Sequence, residues 1–171
     1  MDEKLLAGLN EHLTLEFAAS HHYLALATWF ELNDLPGFST WLRQQSQDEL
    51  SHAHRIIDHL LERDQKVILP AIAQPENDFE NAQLAVNTVL ESEQRVTRSI
   101  ERLYDMAEKL GDRGAILLLQ WFIQEQMEEE NAARALIGRL KLAGDSGLGL
   151  LLVDQELSKG TVPGAMEEPE G

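Results

Sequence analysis

"SQDELSHAHR", residues 46–55, places Asp48, Glu49, His52 and His54 within seven positions. Around it, Phe38, Trp41, Leu42, Ala53, Ile56 and Leu60 recur at helical spacing and define an apolar face. A residue advances about 100° around a helix, so facing follows from spacing. Glu49 and His52 fall on the apolar face, three residues apart, and Asp48 lies at its edge. His54 points about 140° away from Glu49, toward solvent. A lone carboxylate in an apolar stripe needs compensation, because its burial costs several kcal/mol or forces protonation.

Three further segments repeat the anomaly. Over roughly residues 3–33, Leu5, Leu9, Leu13, Phe17, Leu24, Ala27 and Phe30 define an apolar arc that also takes in Glu16 and Tyr23. His21 and His22 fall outside it or at its margin. Over roughly 78–110, Glu93 lies among Val86, Val89, Val96 and Ile100, whereas Glu91 and Glu101 do not. Over roughly 113–142, Gln126 is near the centre of a stripe made by Leu118, Leu119, Phe122, Ala133 and Leu136. Glu129 and Glu130 lie toward opposite edges of that stripe. Trp121, Glu125 and Glu128 share the flank beside Glu129. Each helix thus carries an acid on its apolar side near mid-length. Four carboxylates cannot all stay ionised in a dry core without cations among them. Hard oxygen ligands plus one imidazole suit iron, manganese or zinc, and two metals sharing carboxylates balance the charge.

The punctuation gives the architecture. "NDLPG" ends the first helix, Pro36 opens the second, which runs to about residue 64, and Gly111 and Gly144 close the third and fourth. Between the second and third lies "QKVILPAIAQPEND", residues 65–78, too long for a tight turn between antiparallel neighbours. The expected fold is therefore all-α: a four-helix bundle with a long crossover between helices two and three. A short fifth helix, "GLGLLLVDQELSK", follows at 147–159. It is apolar almost all round, so it either docks on its own bundle or packs with copies of itself. One domain over residues 1–160 is expected, and the tail at 161–171 has the composition of a flexible segment.

Composition narrows the partners. The net charge of −16 argues against nucleic acid, whose phosphates need Lys and Arg clusters, and favours cations. The chain has no Cys, which removes disulfides, zinc-thiolate sites and Cys nucleophiles. The N-terminal "MDEKLLAGLNEHL" lacks the basic and apolar regions of a signal peptide, and no apolar run is long enough to span a bilayer. A cytoplasmic protein without membrane partners is the expectation.

In combination, "LNEHLTLEF", "DELSHAHR", "ESEQ" and "LQWFIQEQMEEE" resemble the non-haem bacterial-type ferritins, members of the ferritin-like di-iron family. "LAGDSGLGLLLVDQELS" is similar to the family's fourth-to-fifth helix junction and terminal helix, so the likeness covers roughly residues 3–158. Di-iron bundles of this class carry two Glu-x-x-His pairs. This chain keeps one, Glu49-x-x-His52, and offers Gln126-x-x-Glu129 in place of the other. That departure resembles non-haem ferritins, and Leu50 stands where bacterioferritin has its haem-ligating Met, so no haem is expected. The resemblance implies a ferroxidase and iron store. Glu16, Glu49 and His52 would hold one iron, and Glu49 would bridge to a second held by Glu93 and Glu129, with Gln126 beside it. Two Fe(II) would be oxidised by O2 or H2O2 and the ferric product stored as mineral inside a homo-oligomeric cage of two dozen subunits. Tyr23 matches a family tyrosine that supplies an electron; a core tyrosine bonded to a ligand carboxylate is the other reading. Asp48, Glu125, Glu128 and Glu129 match a third iron site of some members, or form an acidic wall with no defined ion. Two rival functions stand beside this one: a ferritin-like di-metal oxidase or peroxidase of small oligomeric state that stores no mineral, and a plain partner-binding bundle.

Overall fold

Each helix begins where a side chain, or a proline, deals with the free N–H groups of a first turn. The computed structural model describes residues 1–160 and contains α1 (Glu3–Leu32), α2 (Pro36–Glu62), α3 (Ala82–Leu110), α4 (Arg113–Ala143) and α5 (Gly147–Ser158). Asp2 caps α1 by accepting from the Lys4 and Leu5 amides. Asn81, Asp112 and Ser146 cap α3, α4 and α5 in the same way. Gly111 takes the left-handed conformation, φ +65°, that ends α3. The third helix starts at Ala82 rather than near 78, because the Asn81 side chain is already committed to the Leu84 amide. The expected tail at 161–171 lies outside the described residues.

The second helix is the exception. Leu35 precedes it and offers no capping side chain; Pro36 removes one donor by having no N–H. The cap comes from α5 instead, where the buried Asp154 carboxylate accepts from the Phe38 amide at 3.0 Å.

Helix α1 packs against α2 and α3, α3 packs against α4, and α5 lies across α2 and α4. The expected crossover spans residues 63–81 between α2 and α3. It is pinned by Asn10, on the inner face of α1. The Asn10 amide donates to the Lys66 carbonyl at 3.2 Å, and its oxygen accepts from the Ile68 amide at 2.6 Å. Further along, Phe79 packs edge-on against Trp29, with ring centres 5.7 Å apart. Asn10→Ala would remove the partner of the Ile68 amide, at a cost of about 0.5–1.5 kcal/mol. Hydrogen exchange should show faster opening around residues 66–68 while the bundle core stays protected.

The apolar core is divided. One cluster holds Leu5, Leu9 and Leu13 of α1, Ala53, Ile56 and Leu60 of α2, Val96, Ile100 and Leu103 of α3, and Leu118, Leu119 and Phe122 of α4. The other holds Tyr23, Leu26 and Phe30, then Phe38 and Leu42, then Val86 and Val89, then Ala133, Leu136 and Leu140. In each of α1 to α4 the break between clusters falls at the inward polar residue: Glu16, Glu49, Glu93 and Gln126. The bundle is thus two apolar plugs with a polar belt between them. Leu24, placed on the inner arc by its spacing, is 43% exposed instead. It sits about 80° around the helix from Glu16, past the limit of the buried stripe.

Helix α5 uses one face on its own bundle. Val153, Asp154 and Leu157 are buried there, and Arg139 of α4 pairs with Glu156. The opposite face stays uncovered: Leu148 is 68% and Leu152 53% exposed.

Candidate metal centre

The polar belt is buried. Glu16, Glu49, His52, Glu93 and Gln126 are each no more than 3% exposed. Helical periodicity delivers them, since each replaces an apolar residue on the inner stripe of its own helix. Glu16, Glu49 and His52 converge: one ligand atom from each lies within 4.8 Å of the others. His52 Nδ1 is 3.3 Å from Glu49 and 3.7 Å from Glu16. The His52 ring is set edge-on to Trp121 and Phe122, with centres 5.4 and 5.7 Å away. Arg55 in turn covers Trp121, 3.7 Å from its ring centre.

Glu93 faces this triad from α3 and is held on both oxygens. The Tyr23 hydroxyl donates to Oε1, and Gln126 Nε2 donates to Oε2 at 2.9 Å. The Gln126 oxygen and both Glu16 oxygens are buried without a hydrogen-bond partner. Glu129 sits at the belt's edge, half-buried, with the Gln45 amide 3.5 Å away.

No Lys or Arg is buried among the described residues. The belt's carboxylates therefore compete for protons. Burial pushes Glu49 well above the ordinary carboxyl range, and the charges of Glu93, Glu16 and Glu129 push it further. Burial also raises Glu93, against the opposing hydrogen bonds from Tyr23 and Gln126. Burial and Glu93 raise Glu129 from 4.5 to about 7. Glu16 goes the other way: burial would raise it, but the imidazoles of His12 and His52 close to its oxygens hold it well below the usual range. Burial opposes the charge on His52, yet Glu16 lifts it above its ordinary value. Burial and Glu93 push the Tyr23 phenol well up, so it keeps its proton and remains a donor.

The same four-helix pattern is found in known proteins. The ferritin-like domain family matches residues 6–143. The chain is 34% identical to a bacterial non-heme ferritin of Staphylococcus saprophyticus over 158 residues, 92% of this chain and 95% of that protein. It is 33% identical to one of Campylobacter jejuni over 155 residues, 91% and 93% of the two chains. This chain belongs to the ferritin family. In three dimensions it is similar to the open pore ferritin of the hyperthermophilic archaeon Archaeoglobus fulgidus, with a TM-score of 0.90 and 36% identity over 92% of this chain and 96% of that one.

Other residues singled out by sequence lie apart from the triad in this ferritin. His54 is exposed, as its facing requires. Asp48 is half-buried on the α2 flank and accepts from Gln44 at 3.0 Å. Glu125 is half-buried and Glu128 exposed. Among the described residues the Glu16, Glu49 and His52 set is the one group of three acids or imidazoles gathered within 4.8 Å; Asp48, Glu125, Glu128 and Glu129 are not in it. Spacing missed His12. It is buried on α1 one turn before Glu16, with Nε2 2.7 Å from Glu16 Oε1. The signal was present, since an i, i+4 pair shares a helix face.

Proposed function

We propose that this ferritin binds two Fe(II) per chain in the polar belt, oxidises them, and stores the ferric product. The observation that carries the reading is a buried belt of carboxylates with no buried Lys or Arg beside it. Unpartnered buried oxygens on Glu16 and Gln126 fit hard cations, which would take the place of the missing hydrogen bonds. Glu16, Glu49 and His52 would hold the first ion. Glu49 would be shared with a second, held by Glu93 and Glu129 with Gln126 alongside. Leu50 offers no atom to a haem iron.

Fe(II) is the substrate here. Each ion gives up one electron, and an acceptor takes the pair: O2 with two protons yields H2O2, or H2O2 with two protons yields two waters. The chain contributes charge and position. Its carboxylates favour the higher charge of Fe(III), and Tyr23 and Gln126 fix Glu93 so that its oxygens need not search for the ion. The Tyr23 hydroxyl bond to Glu93 supports an anchoring role over that of an electron donor. Asp48, Glu125 and Glu128 serve as an acidic flank on which Fe(II) gathers rather than as a defined third site. The exposed leucines of α5 support self-association, with the two-dozen-subunit cage as the assembly this helix serves, in the cytoplasm.

The test is to add Fe(II) to aerated protein and follow near-ultraviolet absorbance. A fast phase that saturates at two Fe(II) per chain supports the reading. Oxidation at the buffer rate would return the chain to the partner-binding bundle. A dimer in sedimentation would favour the di-metal oxidase without a mineral store.

A pH dependence follows. In the metal-free protein Glu129 keeps its proton up to about pH 7, whereas an ordinary glutamate loses it near 4.5. Between those values the folded chain binds more protons than the unfolded one. The contribution to stability is therefore present at low pH and is lost as pH rises through about 7. Glu49 and Glu93 act in the same direction. A divalent ion must displace these protons, so it binds better as pH rises. With Zn(II), which does not oxidise, saturating metal should raise Tm by about 5–10 °C at pH 8. The gain should be much smaller at pH 5, and calorimetry at both values checks the sign.

A further inference from the structure

His12 remains unused by the scheme above. It is fully enclosed, at 1% exposure, and both ring nitrogens face polar atoms of other residues. Nδ1 lies 2.9 Å from the Ser99 hydroxyl of α3. Nε2 lies 2.7 Å from Glu16 Oε1, although the two are not aligned as a hydrogen bond and both count as buried atoms without one. The ring stands edge-on to Phe122 at 5.9 Å, and Phe122 in turn stands edge-on to His52. One phenyl ring therefore backs both imidazoles.

His12 is outside the set of three ligand atoms gathered within 4.8 Å. It touches that set through Glu16 alone. A neutral imidazole has one N–H, and the hydrogen bond made by one nitrogen decides what the other does. Ser99 can donate its O–H to Nδ1, which leaves the proton on Nε2, the nitrogen beside Glu16. Were the ring to carry both protons, Nε2 would still be a donor. Groups behind a metal ligand set its orientation and basicity, and their loss typically costs about 10–100-fold in metal affinity.

We propose that His12 is a positioning residue: with its tautomer set by Ser99, it orients Glu16 for the first metal ion. The inference rests on the di-metal reading above and extends it to a contact between α1 and α3. Glu16 is buried without a hydrogen bond, and His12 Nε2 is the imidazole nitrogen nearest to it, at 2.7 Å against 3.7 Å for His52 Nδ1.

The test uses Co(II) alone, without air, on the assembled full-length protein, read by its visible absorption. His12→Leu should weaken the tighter Co(II) by about 10–100-fold and alter its spectrum, because Glu16 is freed. His12→Gln keeps a side-chain N–H and should recover most of the affinity. Ser99→Ala leaves the imidazole in place but frees its tautomer, and should weaken binding severalfold. With Fe(II), the apparent KM should rise more than kcat falls. Wild-type affinity and spectrum in both His12→Leu and Ser99→Ala would overturn the proposal. So would a His12→Gln protein as impaired as His12→Leu, which would make His12 a packing residue. Should His12→Leu fail to assemble, Ser99→Ala and His12→Gln decide by the same readouts. Glu49→Ala is the control. If it takes up Co(II) like the wild type, the di-metal reading itself falls. If it loses Co(II) while the His12 and Ser99 variants do not, only the positioning role falls.

Discussion

Glu49→Ala is expected to slow the fast phase of Fe(II) oxidation by about 100-fold or more while the protein still folds and assembles. Residues behind a ligand already cost about 10–100-fold when lost. Glu49 stands in front, beside His52 and facing the charges of Glu16, Glu93 and Glu129. It interacts with all three other carboxylates of the belt, so its loss should uncouple the two ions rather than merely weaken one. Stopped-flow absorbance at two Fe(II) per chain is the measurement. A fast phase of wild-type rate and stoichiometry would remove Glu49 from the bridging role.

The same position should trade function against stability. The folded-state carboxyl of Glu49 is raised above its unfolded value. Its contribution therefore favours folding at low pH and is lost as pH rises through the raised value. Glu49→Gln keeps the shape and removes the charge. At pH 8 without metal it should melt higher than the wild type, by about 0.5–2 kcal/mol in stability, the usual scale for one stabilising change. Near pH 4 the difference should vanish. With saturating Zn(II) the order should reverse, because the wild type gains a full ligand set and the variant does not.

How much of this was readable from the chain depends on distance along it. Glu16, Glu49, Glu93 and Gln126 were placed inward by the 100° rule alone, because a long helix fixes direction from spacing and the apolar stripe on each is wide. His52 followed from Glu49 by the same rule. His12 lay within reach of it too, about 40° from Glu16 around α1. Its partner Ser99 faces it from α3, 87 residues away, and no spacing rule on α1 reaches that contact. Leu24 failed for the opposite reason: at the stripe's margin the neighbouring helix, not the residue's hydrophobicity, decides exposure. The caps at Asp2, Asn81, Asp112 and Ser146 are local and legible. The cap on α2 is not, since Asp154 lies 116 residues away and no spacing rule reaches it. The grip of Asn10 on the crossover is hidden for the same reason.

That remote cap makes Gly37 the residue on which assembly should turn. A Cβ built on Gly37 would come within 1.9 Å of the Asp154 carbonyl oxygen, which is backbone and cannot swing aside. Gly37→Ala must therefore push α5 away from the start of α2. Three things go with it: the Asp154 cap on the Phe38 amide, worth about 1–2 kcal/mol, and the burial of Val153 and Leu157. The apolar cluster that holds Phe30 and Phe38, to which Val153 and Leu157 belong, opens; the other, with Leu9, Ile56 and Phe122, has no α5 residue in it. Sedimentation of Gly37→Ala should accordingly show small species in place of the proposed cage. Each chain should still give a fast Fe(II) phase, since the belt is built by α1 to α4. Asp154→Asn separates the two contributions, because it keeps an oxygen for the Phe38 amide and adds no bulk, and it should assemble nearly as the wild type does. If Gly37→Ala instead formed the full assembly with an unchanged melt, α5 would not be what joins one subunit to the next, and its exposed leucines would need another partner.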